Sequence, residues 1–256
     1  ERRWTVDLAP LRGTIEEDLR RRDFTVDAIA VPVEQWELPL RASEAVDPYN
    51  GRGDLALGLV RGIGPNVFHD DPGRLLRAVR LAAVSDFRVE EDTARLLRAH
   101  AELVAGVSGE RQREELLSIL ALDGAKKHME LLDELGLLCC IIPELGETKG
   151  VQQPREHYWD VFGHSINAVD GVERVTSNRR RDSVVREVPW EAEIARRFDS
   201  EVCDGHNRRT LLKLAGLLHD IAKPPAKMVD STGRTRFFGH HTMGASMTRD
   251  FLGRLR

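Results

Sequence analysis

The amino-acid sequence predicts a mostly helical α+β fold, in which a small β-type region at the N-terminus precedes a long series of helices. Two stretches near the N-terminus, 4–8 (WTVDL) and 24–33 (FTVDAIAVPV), are rich in β-branched and apolar residues, as strands are. From Asp71 onward, apolar residues recur at steps of three and four, which is the period of a helix with one buried face. Between them, the turn formers of 47–55 (DPYNGRGDL) precede a short strand-like segment, 57–63 (LGLVRGI).

Four segments carry the helical period most clearly: 73–84 (GRLLRAVRLAAV), 90–104 (EEDTARLLRAHAELV), 109–122 (GERQREELLSILAL) and 125–138 (AKKHMELLDELGLL). A joint rich in Pro, Gly and Gln follows at 143–157. We therefore expect three parts, namely residues 1–33, 34–150 and 151–256. Within the last part, the charged stretch 173–209 is poor in aliphatic residues and predicts an exposed insertion.

The composition predicts a globular protein but leaves its partners open. The chain has 256 residues, of which 41% are hydrophobic, and its 31% charged residues leave a net charge of only −4. A basic surface would therefore have to arise locally. Three cysteines, two of them adjacent, form neither a metal-binding spacing nor an even disulfide framework, which favours a reducing cytoplasm. No apolar run reaches the roughly 20 residues of a membrane span.

The segment HDDPGRLLRAVRL (69–81) contains the first candidate site. Asp71 followed by Pro72 is a common way to start a helix, so these two residues need no functional explanation. The three arginines that follow at steps of three are less ordinary. In a helix, residues three apart are neighbours, so the spacing predicts that Asp71 lies beside Arg74, whereas Arg80 turns toward the opposite side.

A carboxylate beside a guanidinium offers a hydrogen-bond acceptor next to a set of donors. Cytosine and adenine each present an amino donor next to a ring-nitrogen acceptor, which complements that pair. Uracil and guanine present the reverse pattern and would leave buried groups unpaired, at a cost of roughly 1–3 kcal/mol each. The pair would therefore select C and A without a template, and the other arginines would suit a triphosphate.

Four ordered motifs resemble the class II tRNA nucleotidyltransferase family, which includes CCA-adding enzymes and poly(A) polymerases. They are EEDLRRRDFTVDAIA, VDPYNGRGDL, DDPGRLLRAVRLAA and SGERQREELLSIL, and together they span residues from about 4 to 145. The resemblance implies transfer of C and A to tRNA 3′ ends, with tRNA, ATP and CTP as partners. The nucleotide contacts it implies are Arg22, Asp71, Arg74, Arg77 and Arg80, with Asp71 and Arg74 reading the base.

The sequence departs from the family pattern at three positions. Asp27 stands where the family usually has Asn, Asp70 where it usually has Glu, and Gly73 where it usually has Leu. A carboxylate at Asp27 would repel phosphate, which bears on ribose recognition. The glycine pair and the spaced aspartates that hold magnesium in this family are missing as well, although Asp7 is a candidate for a further acidic residue. We therefore expect those Mg²⁺ ligands upstream of this chain, and no nucleotide transfer by the chain alone.

Most histidines outside the charged stretch fall into the segments 157–175, 211–224 and 237–247. A lone histidine on an apolar helix is usually a core residue, but their clustering with Asp220 suggests a metal site. These segments resemble the HD domain, an all-helical metal-dependent phosphohydrolase fold. The resemblance implies His164, His219 and Asp220 as ligands of a divalent transition metal. Lys223 matches a lysine that often follows the His-Asp pair, and His240 matches a histidine of the usual FxGH segment.

Three functional hypotheses therefore stand side by side. The first is part of a CCA-adding or A-adding tRNA nucleotidyltransferase that binds the acceptor end of tRNA by shape and backbone. The second is an HD-type phosphohydrolase that acts on nucleotides or RNA ends. The third is an RNA-binding remnant without catalysis. The oligomeric state is open.

Overall fold

The computed structural model describes residues 8–11, 13–32, 45–153, 158–176 and 191–256. The predicted strand at 4–8 lies outside these ranges except for its last residue, and Asp7 is outside them too. Helix α1 (Ile15–Arg20) starts the described fold, and Thr14 and Glu17 form a reciprocal capping box at its N-terminus. Two of its free N–H groups are thereby satisfied, so this short helix has a defined start.

The strand predicted at 24–33 is wrong over Thr25–Asp27, which forms a 3₁₀ turn. Isolated bridges flank this turn, pairing Phe24 with Gly62 and Ala30 with Val46. The Thr25 hydroxyl donates to the buried Asp54 carboxylate at 2.7 Å, which ties the turn to the next helix. This tertiary hydrogen bond outweighs the local β propensity of the sequence.

The predicted turn region at 47–55 is only partly a turn, because helix α2 (Gly51–Leu57) begins inside it. Gly51 is required there, since a Cβ atom would lie 2.0 Å from the Thr25 carbonyl oxygen. Strand β1 (Leu59–Val60) follows as predicted and pairs in parallel with β2 (Arg88–Val89).

The helical series confirms the predicted period. Helix α3 (Val67–Asp70) is a single turn, and α4 (Arg74–Ser85) buries five apolar side chains. Helix α5 (Glu91–Ala99) leads through a 3₁₀ segment to α6 (Gly109–Ala121), and α7 (Ala125–Glu134), α8 (Leu137–Ile141) and α9 (Pro143–Gly146) follow.

The last part of the chain contains helices α10 (Val161–Thr176), α11 (Ala192–Asp199), α12 (Arg208–Leu218) and α13 (His240–Arg254). Two hairpins join them, β3 (Glu201–Cys203) with β4 (His206–Asn207), and β5 (Lys227–Val229) with β6 (Thr235–Phe237). Among the described helices, none combines the length and the apolar character that a membrane crossing requires.

One hydrophobic cluster runs through the whole described helical region. It includes Leu116 of α6 and Met129 of α7 together with Val169 of α10 and Leu217 of α12. Helices α10 and α12 pack along each other, and they contact α7 and α6 respectively. The boundary expected near residue 150 is therefore spanned by a shared core, and the domain limits stay a prediction.

A buried ion pair joins these helices. Lys213 of α12, 1% exposed, lies 3.1 Å from the Glu173 carboxylate of α10 and donates to the Leu122 carbonyl at 2.8 Å. Glu173 also accepts the N–H groups of Gly124 and Ala125 at the start of α7. Burial alone would raise the pKa of Glu173, but these donors hold it below its ordinary value.

The prediction that 173–209 is an exposed insertion is therefore wrong at its start. Glu173 and Thr176 are buried residues of α10, because Glu173 caps α7. His206, in the second half of the stretch, is also buried. Residues 177–190 lie outside the described ranges, and helix α11 carries no fully buried residue.

Replacing Lys213 with alanine is expected to cost roughly 3–5 kcal/mol of unfolding free energy, because the Glu173 carboxylate would remain buried without its cation. Urea denaturation measures this loss. Lys127→Ala is the matched control, since that lysine pairs with Asp86 at the surface, and its midpoint should not change. A loss below about 1 kcal/mol for Lys213→Ala would show that the pair does not hold α10, α7 and α12 together.

Candidate functional site

A cationic cavity lies between the end of α1 and the start of α4. Its volume is about 630 Å³. The residues that line it are Arg20, Arg21, Arg22, Tyr49, Ile63, Gly64, Pro65, Asn66, Val67, Asp70 and Arg74. Four guanidinium groups and one carboxylate thus share one concave surface, which suits a polyanionic ligand.

The arginines at the end of α1 pair with a nearby carboxylate of the same helix. Arg21 and Arg22 both pair with the single carboxylate of Asp18, at 2.9 and 3.0 Å, and their side chains are about half exposed. Hydrogen bonds from Arg22 and Arg21 lower the pKa of Asp18, so it stays ionised. Arg21 and Arg22 thus share the Asp18 carboxylate and also line the cavity.

Arg74, the first residue of α4, reaches back across this cavity. Its guanidinium donates to the Arg21 carbonyl at 2.8 Å and to the Val67 carbonyl at 3.2 Å. Both acceptors are neutral, so Arg74 keeps its full charge while its position is fixed against α1 and α3. It is therefore well placed to meet an anionic or acceptor group in the cavity.

Asp71 has a different partner from the one predicted. Both of its carboxylate oxygens accept from Arg111 of α6, each at 2.9 Å, and Oδ1 also accepts the Gly73 N–H at 2.9 Å. The hydrogen bonds from Arg111 lower the pKa of Asp71. Among the described residues, the ion pair of Asp71 is thus with Arg111, and the expected direct pairing with Arg74 is not formed.

Two local features explain this difference. Helix α4 begins at Arg74 with Gly73 as its N-cap, and Asp71 has extended backbone, so the neighbour relation of residues three apart in a helix does not reach it. Gly73 also makes room for the other partner, because a Cβ atom there would lie 2.2 Å from the Arg111 guanidinium. The departure from leucine at position 73 thus has a structural consequence.

The two remaining arginines of α4 point away from the cavity lining. Arg77 pairs with the buried Asp23 at 2.8 Å and lies 3.6 Å from Asp27. Burial, followed by the nearby charge of Asp23, raises the pKa of Asp27. Arg80 pairs with Glu115 of α6 at 2.5 Å, which fits its predicted rotation to the opposite side. Their contact with a nucleotide stays a prediction.

Sequence reasoning passed over several residues that line the cavity. Arg20 and Arg21 belong to the same arginine run as Arg22 and could have been found from it. Tyr49 lies in the turn motif DPYNGRGDL, whose Pro, Asn and Gly residues predict a turn but do not indicate that Tyr49 lines a cavity. Asp70 was noted only as a departure from Glu.

The three predicted metal ligands come together on α10 and at the end of α12. The ligand atoms of His164, His219 and Asp220 all lie within 4.8 Å of one another. His219 Nε2 is 3.0 Å from Asp220 Oδ2 and 3.2 Å from His164 Nε2, and the distance from His164 Nε2 to Asp220 Oδ2 is 3.6 Å. Donors bonded to one cation at about 2.0–2.2 Å stand about this far apart, so the set fits a divalent metal.

Surrounding contacts orient these ligands. His219 Nδ1 lies 2.8 Å from the Gly216 carbonyl, and His240 Nδ1 lies 2.6 Å from the Phe237 carbonyl. A carbonyl only accepts, so each Nδ1 carries a proton and each Nε2 is turned toward Asp220, where it would serve as a metal ligand whenever it carries no proton. His240 Nε2 is 3.6 Å from Asp220 Oδ1, so this histidine faces the same centre.

Asp220 is buried and ionised. Burial alone would raise its pKa, but hydrogen bonds from His219 and Lys223 outweigh burial and keep the pKa well below the ordinary value. The Lys223 ammonium is 2.7 Å from Asp220 Oδ2 and donates to Gln153. The hydrogen bond to Asp220 raises the pKa of His219. A buried carboxylate with full charge is the strongest cation ligand in this cluster.

Comparison with known protein families agrees with this order of elements. The poly(A) polymerase head domain matches residues 3–61, a probable RNA- and SrmB-binding site of polymerase A matches 86–148, and the HD domain matches 191–256. Three successive parts of the chain thus resemble a poly(A) polymerase head domain, the RNA-binding region of polymerase A and an HD domain.

Curated relatives carry the same kind of name. An A-adding tRNA nucleotidyltransferase from Deinococcus radiodurans is 34% identical over 98% of this chain and 50% of its own length. A CC-adding tRNA nucleotidyltransferase from Thermus thermophilus is 32% identical over 98% of this chain and 51% of its own length. The chain thus spans about half the length of the curated relatives it matches.

Solved structures support the fold. A CCA-adding enzyme in complex with ATP has a TM-score of 0.55 at 23% identity and covers 94% of this chain and 46% of its own. A tRNA nucleotidyltransferase with a primer tRNA and an ATP analogue has a TM-score of 0.54 at 22% identity and covers 80% and 50%. At this identity the comparison supports the architecture, in which helices dominate over small sheets.

Replacing His219 with alanine is expected to remove a bound divalent metal, since it deletes the ligand closest to both of the others. Elemental analysis after incubation with Mn²⁺ or Ni²⁺ and desalting measures the stoichiometry. His241→Ala is the matched control, because this exposed neighbour of His240 is not in the ligand cluster. Stoichiometric metal retained in His219→Ala would show that the ligand set is wrong.

Proposed function

We propose that this chain is part of a tRNA nucleotidyltransferase that adds C and A to tRNA 3′ ends, and that the arginine-lined cavity binds the incoming ATP or CTP. The observation that supports it best is the placement of Arg22 and Arg74 on one cavity, with Asp71 fixed beside the start of α4. The A-adding and CC-adding names of the curated relatives support the same activity.

Selection of the base would use Asp71 and Arg74 as separate groups rather than as an ion pair. Arg111 and the Gly73 N–H occupy three of the roughly four acceptor positions of the Asp71 carboxylate, which leaves one on Oδ2. An amino group of cytosine or adenine would donate to that position, while Arg74 would donate to the neighbouring ring nitrogen. Uracil and guanine would face each partner with the wrong polarity.

The triphosphate would lie against the end of α1. Arg22 is exposed and shares the Asp18 carboxylate with Arg21, so we expect that binding a phosphate costs little rearrangement. Both this kind of domain and the HD domain use divalent metals. For the transfer step we propose Mg²⁺, which would assist attack of the tRNA hydroxyl on the α-phosphate.

The partner would be tRNA, held by the helices that match the RNA-binding model at 86–148. The full activity requires the remaining half of the length that the relatives possess. Tests of transfer therefore use a protein extended to that length, whereas tests of nucleotide binding use this chain.

In the extended protein, Asp71→Ala and Arg74→Ala are each expected to reduce the preference for C and A over U and G by roughly tenfold or more, because each deletes one base hydrogen bond. Arg22→Ala should weaken all four nucleotides alike, by about tenfold. Primer extension on tRNA ending before the first C, with each nucleotide offered alone, separates these effects.

Arg249→Ala serves as the control, since this exposed arginine of α13 lies outside the cavity lining and outside the helices of 86–148, and its loss should leave both rate and preference intact. An unchanged C and A preference in both Asp71→Ala and Arg74→Ala would refute the assignment of base selection to these residues.

A second candidate function is supported by a different observation, the convergence of His164, His219 and Asp220. We propose that this centre is an HD-type phosphohydrolase acting on nucleotides or RNA ends. Two imidazoles and a buried carboxylate suit a divalent transition metal, which would supply an activated water for attack on phosphorus. Lys223 and Gln153 would keep the Asp220 carboxylate ionised and oriented.

Metal-dependent release of p-nitrophenol from bis(p-nitrophenyl) phosphate tests the second function. We expect turnover with added Mn²⁺ or Ni²⁺, and at least a hundredfold loss of rate in Asp220→Asn, because the substitution removes the charged ligand. His241→Ala should keep the rate. Equal turnover by Asp220→Asn and the unchanged chain would exclude this centre as the source of hydrolysis.

A further inference from the structure

A second cationic cavity lies in the last part of the chain, far along the sequence from the first cavity, which Arg22 and Arg74 line and which is called the nucleotide cleft below. Its volume is about 590 Å³, and Glu193, Arg196, Arg197, Ser200 and Arg208 line it. Glu193, Arg196 and Arg197 belong to helix α11, and Arg208 is the first residue of α12. Three guanidinium groups and a single carboxylate thus face one space.

Within the described residues, the arginines of this cavity form no ion pairs. Arg196 and Arg197 make no ion pair within the described residues, and both are exposed. Arg208 donates through Nε to the Ser200 hydroxyl at 3.3 Å, which leaves its terminal nitrogens available. The same hydroxyl donates to the Arg197 carbonyl at 2.7 Å, so Ser200 ties the two sides of the cavity together.

Acidic residues of the same region are engaged elsewhere. Asp199 pairs with Arg209 at 2.6 Å, and Asp204 lies 3.6 Å from Arg113 of α6. Glu201 accepts the Gly205 N–H within its own hairpin. Because these acidic residues pair outside the cavity, the cavity itself keeps a net positive charge.

This arrangement has an electrostatic cost. Arg196 and Arg197 are adjacent, and Arg208 starts a helix, where the free N–H groups already carry partial positive charge. Like charges brought together in this way repel one another unless an anion neutralises them. The lining contains no aromatic ring to stack on a base and no apolar wall, so an anion would be recognised by charge alone.

We infer that this cavity, formed by Arg196, Arg197 and Arg208, binds the phosphodiester backbone of RNA. Contacts to phosphate groups by unpaired arginines position a nucleic acid without reading its sequence. This cavity is separate from the nucleotide cleft, so it could bind RNA whether or not the cleft binds a nucleotide. The HD part of the chain would then have its own binding surface for RNA.

The test is the salt dependence of RNA binding by the 256-residue chain. Fluorescence anisotropy with a 5′-labelled tRNA transcript, from about 50 to 200 mM KCl, gives Kd and the slope of log Kd against log salt. In Arg196→Ala/Arg197→Ala we expect about tenfold weaker binding and a slope reduced by about 1.4–1.8, since each lost phosphate contact removes about 0.7–0.9. Glu193→Gln should tighten binding about twofold, because it removes the only carboxylate of the cavity.

The matched control is Arg234→Ala/Arg249→Ala, which removes the same charge from exposed positions outside this cavity and outside the helices of 86–148. An equal loss in this control, or an unchanged slope in Arg196→Ala/Arg197→Ala, would overturn the inference. So would a loss of inorganic triphosphate binding with RNA binding unchanged, since that would assign the cavity to a small anion. Should the double variant unfold, Arg196→Gln and Glu193→Gln are read instead, with opposite expected effects on Kd.

The outcomes also separate this inference from the proposed nucleotide site. ATP and CTP binding should be unchanged in Arg196→Ala/Arg197→Ala, because the nucleotide cleft shares no residue with this cavity. Failure of the unchanged chain to bind either nucleotide would count against the nucleotide proposal and leave the RNA inference standing.

Discussion

The two-point ion pair between Asp71 and Arg111 is the constraint on which the proposed reading of the base depends. It joins the segment before α4 to α6, and it holds a carboxylate at the helix start with one acceptor position left over. Gly73 permits the contact because it has no side chain. Arg74 donates to neutral backbone carbonyls and not to Asp71. The Asp71 carboxylate and the Arg74 guanidinium therefore remain separate groups, and each could bind a different atom of a base.

The metal centre follows a comparable logic with a different charge balance. Asp220 is buried, and three imidazoles and one ammonium surround it. Backbone carbonyls accept from Nδ1 of His219 and of His240, so Nε2 of each ring is turned toward the Asp220 carboxylate. Both sites therefore rely on neutral backbone groups to orient charged side chains, which spares the charge for a ligand.

The helical half of the fold could be predicted from its apolar period, whereas the β-type half could not. Residues from Arg74 to Ser85 form a helix as predicted, because a regular apolar stripe has one face to bury. Thr25–Asp27 becomes a 3₁₀ turn because of a hydrogen bond to Asp54, 29 residues away, and no local pattern reveals such a partner.

The candidate sites show the same division. His219 and Asp220 are adjacent in sequence, and His164 lies on a helix that packs along theirs, so clustering of residue types was enough to predict their meeting. The ion pair of Asp71 with Arg111 could not be predicted from spacing, because helix α4 begins only at Arg74 and because Arg111 comes from α6, 40 residues later. Positions within one helix can be predicted from spacing, whereas contacts between elements depend on packing that spacing does not contain.

Equilibrium binding of the four ribonucleoside triphosphates to this chain, by isothermal titration calorimetry, tests the central claim most directly. If fixed protein groups beside α4 read the base, ATP and CTP should each bind about tenfold or more tightly than GTP and UTP, without any tRNA present. Equal affinities for all four would contradict the claim, because they would mean that the cavity recognises phosphates and leaves the base unread.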